Sequence, residues 1–139
     1  MPGVDKLTSF VNYSDALAAA VIATDTDTNT TGFDVSSYNA ALFVLTVGTY
    51  TDGDFTMKLQ DSPDNSVWTD VVAGYTINVD NETAVTDVLA AAGTKKLGYY
   101  GVQKFVRAVV TSATTTTGAT VGVSSVRGHK RNVNTDAGA

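Results

Sequence analysis

Leu59-Gln-Asp-Ser-Pro-Asp-Asn-Ser-Val-Trp-Thr-Asp-Val71 holds the chain's only tryptophan, Trp68, and Pro63, its only proline beyond Pro2. Proline pre-sets φ, and Asp and Asn side chains bond back to their own backbone, so Asp61–Ser66 reads as a turn. Upstream, Phe55-Thr-Met-Lys-Leu-Gln60 alternates, with Phe55, Met57 and Leu59 on one face and Thr56, Lys58 and Gln60 on the other. That is the period of a half-buried strand. Val67–Val72 resumes the strand pattern, so the segment predicts a β-hairpin with a long tip. Trp68 is the first bulky residue after the reversal. As core or core rim it would bury about 150–250 Å² and fix the hairpin register, with Pro63 shaping the tip.

The pattern repeats outward from this hairpin. Leu17–Thr24 suits a strand, although its alanines leave a helix open. Asp25–Asp34 reads as a polar loop. Ala40–Val47 is a near-continuous apolar run, predicted to be buried on both faces. Tyr75–Val79 alternates, and Val85–Ala92 is ambiguous between a strand and a helical turn ended by Gly93. Leu97-Gly-Tyr-Tyr-Gly101 reads as a bend. Phe105–Thr111 and Ala119–Val126 read as partner strands around the low-complexity loop Ser112–Gly118. Thr and Val account for 22 and 20 of the 139 residues and there is a single Glu, Glu82. β-branched residues favour pleated surfaces. The expectation is an all-β, single-domain antiparallel β-sandwich or jelly roll of about eight strands. Residues 16–128 would form the domain, with an N-terminal arm at 1–15 and a polar C-terminal tail at 129–139.

No residue set stands out as catalytic. His129 is the only histidine and sits in the basic segment Arg127-Gly-His-Lys-Arg131. No Gly-rich loop leads into a helix, so phosphate cradling has no support. Thirteen Asp residues leave a two-carboxylate glycosidase pair open, but none is singled out. Asp25-x-Asp27-x-Asn29 has the first spacings of a calcium loop, then places Thr30 where glycine belongs and Ser36 where the bidentate acid belongs. A non-standard site using Asp25, Asp27 and Asp34 is a weak candidate, and the expectation is no metal and no cofactor. With no Cys, neither disulfides nor thiolate ligands contribute. The longest apolar runs are too short to cross a bilayer. The protein is therefore expected not to be an enzyme and not to bind membrane.

Charge is distributed unevenly. Residues 1–94 carry 13 acidic and 2 basic side chains, and residues 95–139 carry 1 acidic and 7 basic. Such halves cancel within one fold or meet across copies. Three cations without interleaved aromatics do not make a nucleic-acid site in an acidic protein. Arg127, His129, Lys130 and Arg131 are instead candidates for contact with an acidic neighbouring subunit. Tyr99 and Tyr100 are interface candidates and, with Trp68, an alternative sugar-stacking surface.

Met57–Val71 resembles a hairpin of small structural proteins in tailed bacteriophages, of pattern L-Q-x-S-x-D-x-x-x-W-x-D-V. Leu97–Arg107 resembles their G-Y-x-G-x-x-R-Y-V-R segment, with Lys104-Phe105 in place of Arg-Tyr. The likeness spans roughly residues 40–130. It implies a virion protein of the head decoration or cement type, on the capsid surface and made in the host cytoplasm. The implied partners are the major capsid protein and further copies of itself, a trimer favoured, with no catalytic residue to transfer. The alternative from another class is a carbohydrate-binding β-sandwich module, for example on a phage tail.

Overall fold

The computed structural model describes residues 12–72, 75–78 and 86–130. These contain strands and no helix: β1 (Asn12–Ile22), β2 (Asp27–Asn29), β3 (Phe33–Asp34), β4 (Tyr38–Tyr50), β5 (Asp54–Ser62), β6 (Thr69–Asp70), β7 (Thr76–Asn78), β8 (Thr86–Leu89), β9 (Gly93–Tyr99), β10 (Phe105–Ala113) and β11 (Ala119–Lys130). They form two antiparallel sheets. One has the order β1-β11-β4-β9-β7, the other β2-β10-β5-β6, with β3 also on β10 and β8 also on β5. The fold is a β-sandwich. It has more strands than the eight expected because β2 and β3, of three and two residues, are too short to show a period, and β9 ends where a bend was expected.

The core lies between the sheets and is built by alternation. Phe43, Leu45 and Val47 of β4 and Val121 and Val123 of β11 meet Phe55, Met57 and Leu59 of β5 and Val106, Ala108 and Val110 of β10. Phe33 leans on Phe43 with ring centroids 6.0 Å apart. The 55–60 alternation and the hairpin appear as read: Gln60 pairs with Asp70 and Asp61 with Thr69.

Several local readings are corrected. Ala40–Val47 is buried on one face only, since Leu42 and Val44 are half-exposed and Thr46 exposed. On its outer face β4 carries two apolar side chains, Leu42 and Val44, that are only half-covered. Asp25–Asp34 is not all loop. β10 has a free backbone edge there, and Asp27–Asn29 pairs with Val109–Thr111 while Phe33–Asp34 pairs with Phe105–Val106. Between them the Ala108 N–H donates to Thr30 Oγ1, at 3.0 Å. Val85–Ala92 contains strand β8 rather than a helical turn, held by Phe55–Lys58. Leu97–Gly101 is strand up to Tyr99, because Leu97 and Tyr99 face the core opposite β4. Both ends of the domain also move. β1 starts at Asn12, inside the expected arm, and β11 runs to Lys130, inside the expected tail, since β4 offers backbone partners as far as Tyr38. A cut after Val126 would therefore remove sheet, not a tail.

Many aspartates close turns. Asp52 Oδ1 accepts from the backbone N–H groups of Thr116, Thr117 and Gly118, at 3.0, 3.1 and 2.8 Å. Asp64 Oδ1 accepts from the N–H groups of Ser66 and Val67, both at 3.0 Å, and from Ser62 Oγ at 3.0 Å. These bonds favour the ionised form. The Thr116 N–H first, and then the Gly118 N–H, hold Asp52 below the ordinary 3.8, while the Val67 and Ser66 N–H groups do the same for Asp64. A depressed native pKa gives stability that is present above the unfolded pKa and lost as pH falls through the native one. The melting temperature should hold down to about pH 4 and fall steeply below it. Asp52→Ala should lower it at neutral pH and flatten the acid drop, read by circular-dichroism melts. Equal acid sensitivity in the wild type and the Asp52 variant would contradict the capping role.

Candidate interaction surface

The end of the sandwich where β4 begins and β9 ends collects most of the residues singled out in the sequence. One row of paired residues crosses the whole first sheet there: Asn12–Arg127–Ala41–Tyr99–Thr76. Trp68 sits at this end on the hairpin tip and is half-buried. The Arg107 guanidinium lies 4.5 Å from its ring centroid. The ring also packs so closely on Gly32 that a Cβ there would stand 2.8 Å from Trp68. Arg107 in turn donates to Gln60 Oε1 at 2.9 and 2.7 Å. Gln60 Nε2 donates to Asp70 Oδ1 at 2.8 Å and Lys58 Nζ to Asp70 Oδ2 at 3.1 Å. Trp68 thus fastens the hairpin tip to β10 and to the turn before β3, at the rim rather than in the core. Trp68→Ala should cost about 1–3 kcal/mol, below a fully buried aromatic. Urea unfolding measures it, and a loss above about 4 kcal/mol would place the ring in the core.

The other candidate residues at this end do not converge on one site. Tyr99, expected at an interface, is 2% exposed and belongs to the core. Its hydroxyl donates to Asp61 Oδ2 at 3.0 Å and accepts the Gln103 N–H at 3.2 Å, and burial pushes its pKa well up. The alternation that brings Leu97 and Tyr99 inward puts Tyr100 outside. Arg127 is not free for a neighbour either. Its guanidinium lies 5.5 Å from the rings of both Phe33 and Tyr38, and Nη1 donates to the Asp34 carbonyl at 3.1 Å. His129 and Lys130 lie on β11, and Arg131 lies outside the described residues. The sugar platform of Trp68, Tyr99 and Tyr100 is not assembled, because Trp68 is covered by Arg107 and Tyr99 is buried.

The metal candidates do not converge. Asp27 pairs with Thr111 and Asp34 with Phe105, six residues along β10, which separates them by roughly 20 Å. Each carboxylate is engaged locally: Asp25 by the Thr115 N–H at 2.8 Å, Asp27 by Thr111 Oγ1 at 2.6 Å, and Asp34 by the Ser36 N–H and Oγ at 2.9 and 2.6 Å. Among the described residues no three acidic, His or Cys side chains cluster.

What this end does present is an apolar patch that no sequence period marks. Val72, Tyr75, Tyr100 and Val102 are exposed, Val102 at 86%. Val72, Tyr75 and Val102 line a shallow depression of about 210 Å³ with Asp61 and Asp70 among its walls. The Tyr100 N–H donates to the Tyr75 carbonyl at 3.1 Å, which ties the backbone of the loop carrying Tyr100 and Val102 to that of Tyr75. Exposed apolar side chains gathered into one patch mark interaction sites or ligand-binding grooves.

The molecule is therefore an antiparallel β-sandwich with an apolar patch at one end and no assembled catalytic set among the described residues. No family model and no curated protein matches the chain. Its fold is shared with the PBSX exported protein XepA, at a TM-score of 0.62 and 14% identity, covering 86% of this chain and 38% of that one. It is shared also with the SPBc2 prophage-derived protein YomS, at a TM-score of 0.54 and 11% identity, covering 84% of this chain and 91% of that one. The chain thus spans well under half of the exported protein and nearly all of the prophage-derived one.

Proposed function

We propose that this protein is a non-enzymatic virion protein of a tailed bacteriophage that decorates or cements the head. It would bind the major capsid protein as a homo-oligomer, a trimer favoured. The observation that carries the reading is the coincidence of two independent lines. The hairpin at 57–71 and the segment at 97–107 resemble phage structural proteins, and the fold is one that two phage-encoded proteins also adopt. The physical features agree with a structural role. Aspartates are used to close turns, Arg127 and Trp68 are used to fasten loops, and the outward signal is a contact patch rather than a cleft. A decorating protein needs a rigid sandwich and a surface for copies and shell, and no reactive site.

The test is cosedimentation with empty heads of the parent phage. The protein should pellet with heads and saturate, and it should not be retarded by immobilised polysaccharides. Retardation on a polysaccharide without head binding would favour the carbohydrate-module reading instead.

A further inference from the structure

The apolar patch and the N-terminal segment lie at the same end of the sandwich but on opposite edges of the first sheet. β1, where the first eleven residues enter, is one edge strand, and β7, next to the patch, is the other. The row Asn12–Arg127–Ala41–Tyr99–Thr76 puts the two at one level. Four strand spacings separate them, roughly 19 Å. Residues 1–11, Met-Pro-Gly-Val-Asp-Lys-Leu-Thr-Ser-Phe-Val, supply five large apolar side chains, Met1, Val4, Leu7, Phe10 and Val11, while Asp5 and Lys6 cancel in charge. Extended, eleven residues reach about 36 Å. The patch offers the apolar complement: Val72, Tyr75 and Val102 line one shallow depression, and exposed Tyr100 lies in the same loop as Val102.

We propose that residues 1–11 of a second copy of this chain dock on the Val72–Tyr75–Tyr100–Val102 patch. A donor on one edge and an acceptor on the opposite edge make a head-to-tail contact, and such a contact repeated by rotation closes a ring. Direct pairing of two β1 strands is the less suited alternative. β1 has register irregularities at Asp15/Leu17 and Leu17/Ala20, and bulges blunt an edge strand against edge-to-edge association. The proposal rests on the homo-oligomer named in the proposed function and supplies its contact.

Three proteins test it by analytical ultracentrifugation: the full chain, a chain lacking residues 1–11, and full-length Val102→Asp. Circular dichroism establishes that each is folded, which Val102 should permit because it is almost wholly exposed. The full chain should sediment as a closed multiple of 14.4 kDa. Both altered proteins should associate at least tenfold more weakly. Mixed in equal amounts, the two should form a heterodimer, because one retains the patch and the other retains the segment. A monomeric full chain, an oligomer that survives loss of residues 1–11, or a mixture that forms no pair would each overturn the proposal. Oligomers that behave as expected but ignore phage heads would leave this contact standing and remove the decoration reading.

Discussion

Gly118→Ala should be among the most destabilising single substitutions in this domain. Gly118 closes the β10–β11 turn with φ at +83°, a region where a side chain is strained. A Cβ there would also run into the carbonyl of Ile22, at the end of β1. The obstacle is backbone, so it cannot swing aside as a flexible side chain would. Its N–H is one of the three that Asp52 holds, and its carbonyl accepts from the Thr51 N–H at 3.0 Å. Left-handed strain and overpacking are each of the order of 1–3 kcal/mol, so together the change should cost about 3–5 kcal/mol. That is a large share of the stability of a domain this size. The yield of folded protein and the urea midpoint measure the effect. A Gly118→Ala protein with wild-type stability would mean that the turn is built differently.

Phe43→Ala should be comparably severe, at about 3–5 kcal/mol, and Val44→Ala should cost less than about 1 kcal/mol. Phe43 is fully buried and meets Phe33 across the core, whereas its neighbour Val44 lies on the outer face and is half-exposed. The pair separates a strand buried on one face from one buried on both, because a covered outer face would raise the Val44→Ala loss to about 2–3 kcal/mol. A Val44→Ala loss above about 2 kcal/mol in urea unfolding would contradict the half-exposed placement of its side chain.

How much of this was written in the sequence depends on how local the cause is. The hairpin at 59–71 was legible because a period of two on each side of a Pro-Asp-Asn turn is local information. The all-β class was legible for the same reason. The faces of Ala40–Val47 were not, since whether Leu42 and Val44 are covered depends on what packs outside the sheet, not on their own hydrophobicity. β2 and β3 escaped notice because Asp27–Asn29 and Phe33–Asp34 become strands only by borrowing the free edge of β10. Arg127 looked like a free cation from its basic neighbours, but β11 continues past it and lays its guanidinium between Phe33 and Tyr38. The patch was hidden for a similar reason. Val72 and Tyr75 come from one loop and Tyr100 and Val102 from another, and only the topology brings the two loops together.

Localisation on intact phage particles tests the account most directly. Gold-labelled antibody to the folded domain, viewed by electron microscopy, should decorate the head surface at regularly repeated positions. Label confined to the tail, or absent from purified particles altogether, would contradict a head-decorating role.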